Sequence, residues 1–543
     1  MTYKKSRCHV DGSVDMMKWC LWFILIFVEA GEMVHLKTPA WSFATPIRRT
    51  SPGGRNYTAF EGIRYKWRVE TSKFRFVPIN SEPRSWLQSL NRRINCMHVD
   101  PTSGEIFGRK DCTFLNIYTP SYRRNVSMPV LIWIHGTQLS LGTTRSSKYD
   151  PSRFMDHDIV FVTMTYRLDV LGFVRSYFAK LFGNYGLDDQ RVAIEWVTKN
   201  IKSFGGDPGR ITLAGHGAGA SHALFHLKRN NWTPGGHAIK RGIAISGTRF
   251  APWAKATFAF LTYSKYQAML LKSENVEEEC LETIKPACLE KIRFSTLVNT
   301  SRTMMLESAN LWDTMLWPFK PVQESIYIHQ EPGREFPFVN SNFTLLLGLN
   351  RNEGDIISAF ARERNWTGNW KDTMFRTYFD FDYYLSRKNL WYIKGQMNDM
   401  YEMTSSRDKR VSNMMSDGWF FLPAIREALY HDGPFQGFMF DFKSELGLMN
   451  CRVPRSGEGT SHGDELPYIF TIKGCLVDPK NEWVAKKYVN MLARFVIDGD
   501  TQLKKYPEDQ VLFNITEQLD DPEEFSKIDE NLMIRLTIWR QFY

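Results

Sequence analysis

The residues best arranged for chemistry surround a position that has no side chain. Gly215-His216-Gly217-Ala218-Gly219 follows an apolar strand candidate, Ile211-Thr212-Leu213-Ala214, and leads into a helical segment beginning near Ala218. A Gly-x-Ser-x-Gly turn in that setting presents a serine hydroxyl to a carbonyl carbon. Here the central residue is Gly217. Nucleophilic catalysis needs an oxygen or sulfur that can bond to the acyl carbon, and glycine supplies neither. The neighbours are poor substitutes. His216 precedes the turn and is aimed differently, and Ser221 lies one helical turn beyond it.

The elements that must position this turn read as strands alternating with helices. Residues 129–134 and 159–164 are continuous apolar runs, as expected of strands covered on both faces. A helical stretch around 192–197 precedes the turn Phe204-Gly-Gly-Asp-Pro208 and the strand at Ile211. Further strand candidates are 242–245, 344–348 and 437–441, and 484–496 repeats its apolar residues at helical spacing. The expectation is an α/β fold with one large, mostly parallel sheet and helical insertions. There is no internal repeat or long polar linker, so 32–543 reads as a single domain.

The opening residues read as a leader. Lys4, Lys5, Arg7 and Lys18 precede the ten-residue apolar run 19–28, which Glu29 and Glu32 end. That run is about half of what a bilayer span needs and suits the core of a signal peptide over 1–31. Cysteine usage agrees with an oxidising compartment. Cys96 with Cys112, Cys280 with Cys288, and Cys451 with Cys475 are close in sequence, although sequence leaves the pairing open. No Cys-x-x-Cys signature points to a metal, and no cofactor motif is present. Seven Asn-x-Ser/Thr sequons, at Asn56, Asn125, Asn231, Asn299, Asn342, Asn365 and Asn514, are candidate glycan acceptors. The net charge of +10 is spread along the chain without a basic tract, which argues against nucleic acid as a partner.

Several blocks together resemble the cholinesterase/carboxylesterase family, the type-B branch of the α/β-hydrolase fold. They are Tyr57-Thr-Ala-Phe-Glu-Gly-Ile63, Asp111-Cys-Thr-Phe-Leu-Asn116, Trp133-Ile-His-Gly136, Gly183-Asn-Tyr-Gly-Leu-Asp-Asp-Gln190 and Phe204-Gly-Gly-Asp-Pro208. Ser246-Gly247, Pro252-Trp253-Ala254 and the segment from Asp417 to Pro423 extend the match, which spans roughly 40–520. The resemblance implies an α/β-hydrolase fold and a serine, histidine and glutamate triad. Its acid falls on Glu353, in Gly348-Leu-Asn-Arg-Asn-Glu-Gly354, and its histidine on His462, in Gly459-Thr-Ser-His-Gly-Asp-Glu465. Its serine falls on Gly217, and Ser246 matches a serine that supports the triad from behind.

The oxyanion segment departs from the family as well. A glycine-rich stretch is replaced by His135-Gly136-Thr137-Gln138-Leu139. The N–H groups of Thr137 and Gln138, with that of Ala218, would hold the oxyanion, and the added Cβ atoms disfavour the backbone this requires. The resemblance therefore implies a secreted, noncatalytic family member that recognises an extracellular protein. A carrier of a small apolar ester or lipid is the first alternative, and a weak or unconventional ester hydrolase the second.

Overall fold

The computed structural model describes residues 46–66, 93–99, 104–136, 149–176, 181–256, 259–271, 289–307, 319–322, 342–363, 406–442, 460–472, 477–503 and 512–514, apart from 124, 230–231 and 290. It also describes 34–35, 43–44, 395–396, 399–401 and 535. Ten strands form one sheet. In chain order they are β1 (Ile47–Thr50), β2 (Asn56–Arg64), β3 (Phe114–Thr119), β4 (Met128–Ile134), β5 (Val160–Met164), β6 (Gly206–His216), β7 (Arg241–Ile245), β8 (Thr344–Asn350), β9 (Phe435–Phe440) and β10 (Leu512–Asn514). Their spatial order is β10-β9-β8-β7-β6-β4-β5-β3-β2-β1. Every pairing from β9 through β8, β7, β6 and β4 to β5 is parallel. The strands at either margin pair antiparallel.

The central strands are apolar throughout because both of their faces are covered. Along β4, Val130, Ile132 and Ile134 pack into one core, whereas Leu131 and Trp133 pack into a second. The period-two alternation of a strand thus feeds two cores from one apolar run. Helices α1 (Tyr185–Asn200) and α2 (Ala218–Leu227) cover the first face. On the second lies α5 (Glu482–Asp498), whose Val484, Ala485, Tyr488, Val489 and Leu492 repeat at helical spacing. Helices α3 (Arg407–Ser416) and α4 (Leu422–Leu429) are joined by a π-helical turn at Asp417–Phe421, which buries Trp419 and Phe420.

The 437–441 strand begins two residues earlier than its sequence pattern indicates, and the 204–208 turn feeds a strand with a register shift between Gly206 and Ile211. Four strands escape the pattern, β1, β2, β3 and β10. In β2 the buried Glu61 interrupts the apolar run, and in β3 Asn116 and Thr119 do the same while fully buried. Asn116 repays its burial by donating to Thr163 Oγ1 at 2.9 Å and accepting the Gly62 N–H at 3.0 Å.

Parallel register has one consequence for function. His216 pairs with Ile245, and Ile245 with Gly348, so the carboxyl ends of β6, β7 and β8 lie side by side. Open α/β sheets place their sites beyond such ends.

Candidate functional site

Beyond β6 the chain reverses at Gly217, whose backbone has φ 55° and ψ −123°. Side chains disfavour that conformation, and glycine accepts it. The turn is pinned on both sides. Gly217 N–H donates to the Ile245 carbonyl at 2.9 Å, and its own carbonyl accepts from Ala220 and Ser221 at 3.0 and 3.2 Å. Helix α2 then packs tightly on β4, because a Cβ on Gly219 would sit 2.0 Å from the Ile134 oxygen. Gly136 comes equally close, with its Cβ position 2.4 Å from the His216 oxygen and 3.4 Å from the Ala218 nitrogen. Gly136, Gly217 and Ala218 therefore meet at one point, while Thr137 and Gln138 lie outside the described residues.

Glu353 and His462 arrive at the same point from other elements. Glu353 sits in the turn after β8, where its Oε1 accepts from Asn350 N–H at 2.7 Å and Ser246 Oγ at 2.5 Å. His462 lies on a loop tied to the ends of β8 and β9, through Asn352 N–H to the Thr460 carbonyl at 2.8 Å and Thr460 Oγ1 to the Phe440 carbonyl at 2.7 Å. Its Nδ1 is 2.8 Å from Glu353 Oε2. Its Nε2 faces Gly217, where a built Cβ would lie 3.3 Å from Nε2 and 3.5 Å from Cε1.

Three further residues close this pair into a ring. Asn350 Nδ2 donates to Ser246 Oγ at 3.2 Å and to Glu465 Oε2 at 2.7 Å. Glu465 Oε1 lies 2.9 Å from His216 Nε2, within ion-pair distance. The His216 ring returns to His462 at 4.5 Å between centroids, with Phe420 at 4.9 Å from His462. Sequence patterns do not mark Glu465, Asn350 or the His216 contact. Glu465 does stand three residues after His462, and a buried acid there is the one legible signal.

Burial governs the electrostatics. Burial, then the Glu465 carboxylate, raises Glu353 to about 8 against the donors around it. Glu465 is buried too, but His216 and then His462 outweigh that penalty and leave it below the usual carboxylate range. Burial, then His216, pushes His462 well below an ordinary histidine. The dyad has two relevant forms. A protonated Glu353 donates to Nδ1 and leaves Nε2 as a donor, whereas an ionised Glu353 accepts the Nδ1 proton and turns Nε2 into an acceptor.

The neighbouring hydroxyls are already committed. Ser221 Oγ donates to the Thr248 carbonyl at 2.7 Å, and Ser246 serves Glu353. Cys96 and Cys112 form a disulfide with Cα atoms 4.8 Å apart, while Cys280, Cys288, Cys451 and Cys475 lie outside the described residues. Asn56, Asn125, Asn299 and Asn342 are exposed, Asn514 lies in β10, and Asn231 and Asn365 fall outside the described residues. Among the described residues no group of three or more His, Cys, Asp or Glu is placed to hold a metal, and no helix is long and apolar enough to cross a membrane.

The sequence profile of the carboxylesterase family matches residues 47–536. The chain belongs to the carboxylesterase family. Esterase E4 of Myzus persicae is 28% identical over 513 residues, covering 88% of each chain. Venom carboxylesterase-6 of Apis mellifera is 27% identical over 501 residues, covering 83% of each. Among solved structures, juvenile hormone esterase from Manduca sexta superposes with a TM-score of 0.72 at 22% identity, over 87% of this chain and 92% of that one. That likeness establishes an α/β-hydrolase fold for this carboxylesterase-family chain.

Proposed function

We propose that this carboxylesterase-family chain is a secreted glycoprotein that recognises an extracellular protein and forms no acyl-enzyme. One observation carries the reading. A Glu353–His462 pair points its Nε2 at Gly217, at the distance where a nucleophile's Cβ belongs, and no oxygen or sulfur of the described residues stands there. Ser221 and Ser246 are engaged elsewhere, so neither takes over. The Cys96–Cys112 disulfide and four exposed sequons favour the secretory path.

Protein recognition is favoured by two exposed apolar residues at the end of α4. Leu429 and Tyr430, 59% and 43% exposed, close α4. The Phe250 ring lies 5.6 Å from that of Tyr430, with the Arg426 and Arg249 guanidiniums over Phe250. Tyrosine and arginine in one patch are the residue types that dominate binding energy at interfaces. A carrier of a small apolar ester or lipid is the second reading, favoured by a buried His462 whose Nε2 no described residue hydrogen-bonds. Native mass spectrometry of the secreted protein separates the two. A stoichiometric co-purifying lipid or ester supports the carrier. An extracellular partner whose binding is lost in Tyr430→Ala supports recognition, and binding unaffected by that change refutes this surface.

A further inference from the structure

Arg249 is anchored through one nitrogen and keeps the other two outside. Its Nε donates to both oxygens of Glu427, at 3.0 and 3.1 Å, and Glu427 is wholly buried. Nη1 and Nη2 find no acceptor among the described residues, and neither is enclosed. The guanidinium lies 4.6 Å from the centre of the Phe250 ring, and that of Arg426 lies 4.8 Å from the same centre. The two like charges thus stand within about 10 Å of each other, one Debye length. The surface beneath them is fixed by hydrogen bonds. Thr248 Oγ1 donates to the Pro423 carbonyl at 3.3 Å, and Lys228 Nζ donates to the Tyr430 carbonyl at 3.3 Å and lies 3.1 Å from His431 Nδ1. His431 Nε2 is 3.1 Å from the Phe343 carbonyl, which only accepts, so Nε2 carries the proton and Nδ1 accepts from Lys228. Against Arg249, Arg426 and Lys228 stand Glu427, sealed beneath Arg249, and the exposed Asp432. A positive excess remains, beside the exposed Leu429 and Tyr430.

We propose that this surface docks an acidic segment of a protein partner, with a side-chain carboxylate on Nη1 and Nη2 of Arg249. The inference rests on the reading that the chain recognises an extracellular protein, and it names the chemistry that partner must carry. A guanidinium held through Nε offers its two remaining nitrogens as a fork, and the two oxygens of a carboxylate match it. The Glu427 bond and the Phe250 ring fix that fork before binding, so little side-chain freedom is lost on docking. Leu429 and Tyr430 give the apolar residues of the same segment a place to pack. A sulfated polysaccharide is the poorer match, because a polyanion is held by a run of cations, whereas two guanidiniums here converge on one ring beside apolar side chains. The net charge of +10 steers an acidic partner toward the chain.

The experiment titrates the purified full chain, by fluorescence anisotropy, into a fluorescein-labelled octapeptide that alternates aspartate with leucine. The control peptide alternates asparagine with leucine. The aspartate peptide is expected to bind about tenfold more tightly, the low end for hydrogen bonds to a charged group, and added salt shrinks the difference. Arg249→Lys keeps a cation for Glu427 but has no fork, and it removes the preference. Arg249→Gln combined with Glu427→Gln removes it too and leaves no unpaired buried acid, while circular dichroism reports the folding of both proteins. A preference absent from the wild type, or intact in both variants, overturns the proposal. A heparin oligosaccharide that binds more tightly than the aspartate peptide, and loses that advantage in Arg249→Lys, overturns it in favour of a polysaccharide. Equal binding of the two peptides that is lost in Tyr430→Ala sinks the acidic ligand and leaves the recognition surface standing. An aspartate preference untouched by Tyr430→Ala but lost in Arg249→Lys keeps the anion site and refutes recognition through Tyr430, so the two failures are told apart.

Discussion

Gly217→Ala tests whether the turn holds the backbone of a nucleophile elbow after losing its side chain. At φ 55° and ψ −123° an alanine pays a backbone penalty of about 1–3 kcal/mol. Its Cβ would also press within 3.3 Å of His462 Nε2. The ring has little room to retreat, being held by Glu353 at 2.8 Å and flanked by His216 and Phe420. The expected loss lies toward the upper end of that range. Gly236→Ala is the comparison, because Gly236 has φ 84° with open space around its Cβ position. That change carries the positive-φ cost without a contact, about 1 kcal/mol. Equilibrium urea unfolding of the three proteins gives the differences. A Gly217→Ala protein as stable as wild type, or no worse than Gly236→Ala, refutes the account of strain and contact at the elbow.

Acid should destabilise the fold early. Burial holds His135 and His222 at about 3, His431 at about 4, and His226 and His462 well below their usual value. The unfolded chain takes up those five protons as pH falls through about 6.5 and the native chain refuses them, so stability drops from there downward. Glu353 and Asp169, raised to about 8 and about 7 mainly by burial, hold two protons in the native state and oppose the trend. The net three protons near pH 5 give a slope of about 4 kcal/mol per pH unit, and flat stability between pH 6.5 and 5 would contradict it. Arg535→Ala strips Asp417 of the guanidinium that meets it at 2.6 Å and leaves a buried carboxylate with Tyr401. A loss of about 3–5 kcal/mol in urea unfolding is expected, and a neutral effect would refute the clamp. Replacing Cys96 and Cys112 together with serine should cost about 2–4 kcal/mol, with a thiol count confirming that the bond was present.

Much of the architecture was legible because parallel strands buried on both faces leave unbroken apolar runs, as in β4 and β5. Strands β2 and β3 were not, because Glu61 and Asn116 are buried polar residues whose partners lie elsewhere in the chain. The elbow showed itself through glycines that β6 and α2 need in order to approach each other. Glu353 and His462 were found by family pattern alone, since they stand 109 residues apart. Their support was hidden for the same reason. Asn350 reaches Glu465 across 115 residues, and Arg535 reaches Asp417 across 118, and no local period records either contact.

The central claim is that a dyad is assembled beside a missing nucleophile. Intact-mass analysis of the purified protein, after incubation with an activated acyl ester in the absence of alcohol, tests it most directly. The account predicts unmodified protein at every time point and no initial burst of released p-nitrophenol. A single acyl adduct that forms in the wild type and is lost in His462→Gln would contradict it.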